Sequence, residues 1–173
     1  LSTVFDGRES VAIGVPNYVV DPGDDDREHQ LRRSMGDLFE RNADAIGGHE
    51  TSDPATFYER CMEMGMIRIA RVRRALRGQT FELIFGYTSA LDLIGHVAHS
   101  MPVMQRRAYA EIDDFVGELR ADLGSNDELL LVSDHGLQEG VHTNKAVVSA
   151  TEPEVIGTIE NVLDVREGIE RLL

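Results

Sequence analysis

Short aliphatic runs alternate along this chain with longer stretches in which apolar residues recur every three or four positions. The run Ser-Val-Ala-Ile-Gly-Val at 10–15, closed by Pro16 and Asn17, predicts a strand ending in a turn. The segment 21–26 is too polar and too broken for either element and reads as a solvated loop. Over 31–43 a modest amphipathic helix is expected, with Leu31, Met35, Leu38 and Phe39 on one side, before Gly47-Gly48-His49 interrupts it. Asp53 supplies an N-cap and Pro54 a first-turn proline to a long helix that runs to about Arg77, where Gly78 stops it. Phe57, Cys61, Met64, Ile67 or Arg68, and Arg71 with Val72 follow its period, and the arginine-rich end suits the negative helix terminus. A second strand is predicted over 81–86, with a loop leaving it at 87–91. Met101-Pro102 opens a further helix ending near Gly124, striped by Met104, Ala108, Ile112, Phe115, Val116 and Leu119.

The unbroken aliphatic run 129–132, bounded by Asn126-Asp127 and by Gly136, predicts a strand buried on both faces of a sheet. A short strand at 146–149 and a closing helix at 163–173 complete the pattern. Strand, helix, strand, helix, strand is the order of an α/β fold: a mostly parallel sheet with helices on both faces. There are no internal repeats, and one domain spanning 1–173 is expected.

Composition narrows the function. The 173 residues are 42% hydrophobic, and no apolar run is long enough to span a bilayer. The first residues lack the basic and apolar regions of a signal peptide, and they lack an initiator Met, so an incomplete domain, trimmed or cut from something longer, is expected. A single cysteine, Cys61, excludes an internal disulfide and fits a reducing, cytoplasmic setting. Thirty-one acidic against 17 basic residues give a formal charge of −14, which disfavours nucleic acid and anionic membrane as partners. Lys145 is the only lysine. Such an acidic, Arg-over-Lys composition resembles that of halophilic proteins, although a GC-rich genome would also produce it.

The chemistry gathers at two places. Asp134 and His135 follow the strand predicted at 129–132, and ligand sites of open α/β sheets form at that C-terminal edge. His142 returns shortly after. Asp92 and His96, spaced four apart after the 81–86 strand, share a face if their segment is helical. Taken singly, Asp134 reads equally as a capping residue in a polar turn, and His96 as a packed or exposed side chain. Together, imidazoles and carboxylates at one sheet edge are what Zn²⁺ or Mn²⁺ accepts. His99 could touch the same site, but a hydrogen bond to a neighbour suits it better. His29 and His49 read as packing or surface residues. Thr143 and Lys145, just past His142, are candidates to meet a substrate phosphate.

Asp92-x-x-Gly-His96, then Ser133-Asp134-His135-Gly136, then Gly140-x-His142-Thr143 resembles the alkaline phosphatase superfamily, most closely its type I phosphodiesterase/nucleotide pyrophosphatase branch. Val15-Pro16-Asn17-Tyr18 looks like the Val-Pro turn of that branch, and cofactor-independent phosphoglycerate mutases share the ligand order. The resemblance implies the C-terminal part of a catalytic domain and two divalent metal ions. Asp92, His96 and His142 match the ligands of one ion, Asp134 and His135 two ligands of its neighbour. An Asp on the first strand and a Ser or Thr nucleophile at a helix start complete the family's second site. Neither is found here, since Ser2-Thr3 lies outside any strand-to-helix setting, so the fold is expected to lack the N-terminal strand and the nucleophile segment. The implied function is metal-dependent hydrolysis of a small phosphoester or nucleotide, this chain alone being inactive. The alternatives are a phosphoglycerate mutase-like isomerase, which needs an inserted domain not evident here, and a non-catalytic metal-binding fragment.

Overall fold

The computed structural model describes residues 3–15, 25–78, 80–157 and 159–173. Its backbone is organised on the long helix α2 (Pro54–Gly78). Asp53 starts it, its Oδ1 accepting the Thr56 backbone N–H at 3.1 Å. The face carrying Phe57, Cys61 and Met64 is almost fully buried. Three helices close over that face: α1 (Asp25–Leu38), α3 (Ala90–Val97) and α4 (Pro102–Asp122). They contribute Leu31 and Met35, Ala90 and Ile94, and Ala108 to one cluster, with Met104, Ile112 and Phe115 packed at its edge.

Helix α1 begins earlier than the apolar period at 31–43 suggests and ends at Leu38. The reason is ionic rather than apolar. Glu28 is 1% exposed and accepts from Arg68 of α2, itself only 4% exposed, through Nε at 3.0 Å and Nη2 at 2.7 Å. Arg32 and Arg71 reach the same carboxylate. After Leu38 the chain turns extended: β2 (Glu40–Arg41) pairs antiparallel with β3 (His49–Glu50).

Strand β1 (Ser10–Ile13) lies parallel to β4 (Leu83–Gly86), in register from Ser10 beside Leu83 to Ile13 beside Gly86. This is a crossover through α1 and α2. The expected larger parallel sheet is absent among the described residues, where this pair is the only parallel one. The run expected as a doubly buried strand instead becomes β5 (Leu130–Ser133), antiparallel to β8 (Val147–Ala150). Its last two residues are exposed, Val132 at 44%. The partner that arrives soon after it in sequence takes its edge, and the continuous apolar run is half-covered rather than enclosed. Between them lies a hairpin, β6 (Gly136–Gln138) and β7 (Val141–Thr143). Its two-residue turn places Glu139 at φ 51° and Gly140 at φ 79°, the left-handed pair that a tight hairpin requires. A short helix α5 (Pro153–Ile156) and the closing α6 (Val165–Leu172) end the chain, the latter preceded by a 3₁₀ turn where a helix from 163 was expected. Residues 16–18, which carry the Val-Pro turn, lie outside the described residues, as does most of the expected polar loop.

Candidate metal centre

Helix α3 leaves β4 after a short loop, so its first turn stands at the C-terminal edge of the parallel pair. Asp92 and His96 are one helical turn apart on it, with Asp92 Oδ1 3.3 Å from His96 Nε2. Gly95 between them lets the β6–β7 hairpin come close. A Cβ at that position would overlap the Leu137 side chain. Leu137 pairs across the hairpin with His142, and directly opposed residues share a face. The contact that seats Leu137 on α3 therefore also carries His142 to Asp92 and His96. Its Nε2 lies 3.0 Å from Asp92 Oδ1 and 2.9 Å from His96 Nε2.

The electronic state of His96 follows from what stands behind it. Its Nδ1–H donates to the Gly140 carbonyl at 2.9 Å, and the residue is only 8% exposed. A neutral ring so committed presents a bare lone pair at Nε2. Across from that lone pair are a second imidazole nitrogen and a carboxylate oxygen, and the candidate ligand atoms of Asp92, His96 and His142 all lie within 4.8 Å of one another. Electron-rich atoms gathered so closely repel unless a proton or a cation lies between them. Two imidazole nitrogens and one carboxylate are a donor set that suits Zn²⁺, and the trio fits such an ion.

His135 stands beside the trio. Its ring stacks on His142 at 3.8 Å between centroids, and its Nε2 lies 3.8 Å from Asp92 Oδ1 and 3.7 Å from Asp134 Oδ1. The Asp134 side chain is 74% exposed, at the solvent margin. Thr143 is half-buried in β7, and Lys145 is exposed in the connection to β8. His99 donates from Nδ1 to the His96 carbonyl at 3.1 Å, a neighbour hydrogen bond. His29 is exposed on α1.

His49, expected to be a packing or surface residue, has its ring 5.3 Å from that of His96. It stacks on Phe39 at 4.5 Å, and Phe39 on the buried Phe57 at 5.5 Å. Gly47-Gly48 immediately before a histidine, which the sequence shows only as a helix interruption, is the one local signal of this approach, since paired glycines allow a backbone to turn tightly against a neighbour.

Asp92 and His96 on α3 and His142 on β7 thus form a trio that could hold a metal ion, set in a mixed α/β framework. A family model described as type I phosphodiesterase / nucleotide pyrophosphatase matches residues 8–158. The chain belongs to this family, a branch of the alkaline phosphatase superfamily. No curated protein and no solved structure matches it. Among the described residues no helix is long and apolar enough to cross a membrane.

Proposed function

We propose that this chain supplies the metal-binding half of a phosphoester hydrolase acting on a small phosphodiester or nucleotide in the cytoplasm. The observation that carries the reading is the convergence of Asp92, His96 and His142 within 4.8 Å. These three would hold one divalent ion, Zn²⁺ or Mn²⁺, and Asp134 and His135 would contribute to a second. Such ions polarise a phosphoryl oxygen and lower the pKa of a bound nucleophile. The residues themselves prepare the site. The Gly140 carbonyl fixes the His96 ring, the Leu137 contact brings in His142, and the stacked His135 ring shields one side of His142. Exposed Lys145 and the Thr143 hydroxyl, just past His142 in the chain, would meet a substrate phosphate.

No Ser or Thr of this sequence is assigned the nucleophile's part, so the test is metal binding rather than turnover. Calorimetric titration of the 173-residue chain with ZnCl₂ and MnCl₂ should show a saturable site. His96→Ala should abolish tight binding of the first ion, and Asp134→Ala should weaken it less. A wild-type chain that takes up neither metal refutes the reading.

A further inference from the structure

The His96 ring is supported from behind by backbone. Gly47 sits at φ +72°, and a Cβ built on it would overlap the Gly140 carbonyl oxygen and come 2.9 Å from His96 Nδ1. The Gly47 backbone therefore lies against the one hydrogen bond, His96 Nδ1–H to Gly140 O at 2.9 Å, that turns Nε2 toward Asp92 and His142. The same turn is tied to the core. His49 donates from Nδ1 to the Gly47 carbonyl at 2.9 Å, and its ring reaches the interior through Phe39 and Phe57. Gly48 provides the contrast: its φ is +75°, but a Cβ there would meet nothing within 4 Å.

We infer that Gly47 is a positioning residue, a side-chain-free backstop that fixes the tautomer and orientation of His96 through the Gly140 carbonyl. The inference rests on the metal reading above only for its consequence in ion affinity. The mechanism is steric. A side chain at position 47 would press on the Gly140 oxygen and the His96 ring, and displacing either one breaks the bond that aims Nε2. Partners of this kind, one bond removed from a ligating imidazole, typically affect metal affinity by about 10–100-fold when lost.

The experiment compares wild type, Gly47→Ala and Gly48→Ala by ZnCl₂ titration, alongside the urea stability of each zinc-free protein. Both alanines meet the same left-handed backbone conformation. Only Gly47→Ala should weaken zinc binding, by about 10–100-fold. Equal losses in the two variants, or full affinity in Gly47→Ala, would overturn the inference. Long-range ¹H–¹⁵N spectra of the wild-type imidazoles provide a readout independent of any variant's folding. The zinc-free protein should carry the His96 proton on Nδ1, and a proton on Nε2 instead would overturn the inference. Failure of the wild type to bind zinc would sink the metal reading alone; the backstop is then decided by the same spectra of the zinc-free variants, in which only Gly47→Ala should lose the bonded Nδ1 proton, and an unchanged Gly47→Ala spectrum would overturn it.

Discussion

Replacing Glu28 by Ala tests the interior most severely. The Glu28 side chain is 2% exposed and that of Arg68 5%, so neither charge has water to turn to. Arg68 directs Nε and Nη2 at the Glu28 carboxylate and Nη1 at the Tyr87 carbonyl, 3.2 Å away. Without Glu28 the guanidinium keeps its burial and loses its counter-ion, while Arg71, 11% exposed, loses its ion pair to the same carboxylate. Breaking a buried pair in this way costs about 3–5 kcal/mol. For a chain of this size that corresponds to a fall in Tm of roughly 6–20 °C. Urea denaturation followed by far-ultraviolet circular dichroism measures it, and the double variant Glu28→Leu/Arg68→Met should recover part of the loss because the charges leave together. A single-variant loss below about 1 kcal/mol, the magnitude of an exposed pair, would refute the reasoning. The acid limb provides a second readout. Burial works to raise the Glu28 pKa, but hydrogen bonds and charges from Arg68 and Arg32 outweigh it and hold the carboxyl below its ordinary 4.5. The resulting stability is complete above pH 4.5 and is lost as pH falls through the lowered folded value. Glu28→Gln should therefore flatten the acid side of the stability profile.

Three further outcomes are expected. Gly95→Ala should push Leu137 off α3, costing about 1–3 kcal/mol by overpacking and weakening ZnCl₂ binding through His142, and Gly95→Ala/Leu137→Ala should relieve the overlap but not regain full affinity, since the seating contact is gone; a single variant with wild-type stability and affinity would show that the hairpin is seated by something else. Cys61 is fully buried and its thiol is pushed up to about 12 by that burial, so a thiol-reactive dye at pH 8 should label it only as fast as the protein unfolds; prompt native labelling would contradict the packing. With a formal charge of −14, Tm should rise as KCl increases into the molar range, and a flat or falling curve would count against salt adaptation.

Local chemistry made some of this architecture readable in advance. Asp53-Pro54 and Gly78 are capping and stopping signals that act within a turn of their own position, and α2 runs between them. The four-residue spacing of Asp92 and His96 needs only a helix to bring the pair together, and α3 is one. What escaped was decided by distant partners. The start of α1 depends on Glu28 meeting Arg68 across the core, which apolar periodicity does not register. Four aliphatic residues describe a doubly buried parallel strand and a half-exposed antiparallel strand equally well, and the pairing of Val132 with Val148 settled the matter for β5. His49 became a neighbour of His96 because Phe39 leaves its helix to stack on it, a contact with no sequence period at all.

The hairpin carrying His142 has a kinetic consequence. Asp92 and His96 ride on a helix whose Ala90 and Ile94 are sealed into the interior, so separating them requires the core to open. His142 rides on three-residue strands that, among the described residues, pair only with each other. Small units of this kind open far more often than the molecule unfolds as a whole. The lifetime of the assembled trio is thus governed by one detachable arm, and amide protons of Leu137 and Val141 should exchange with solvent well ahead of that of Ile94.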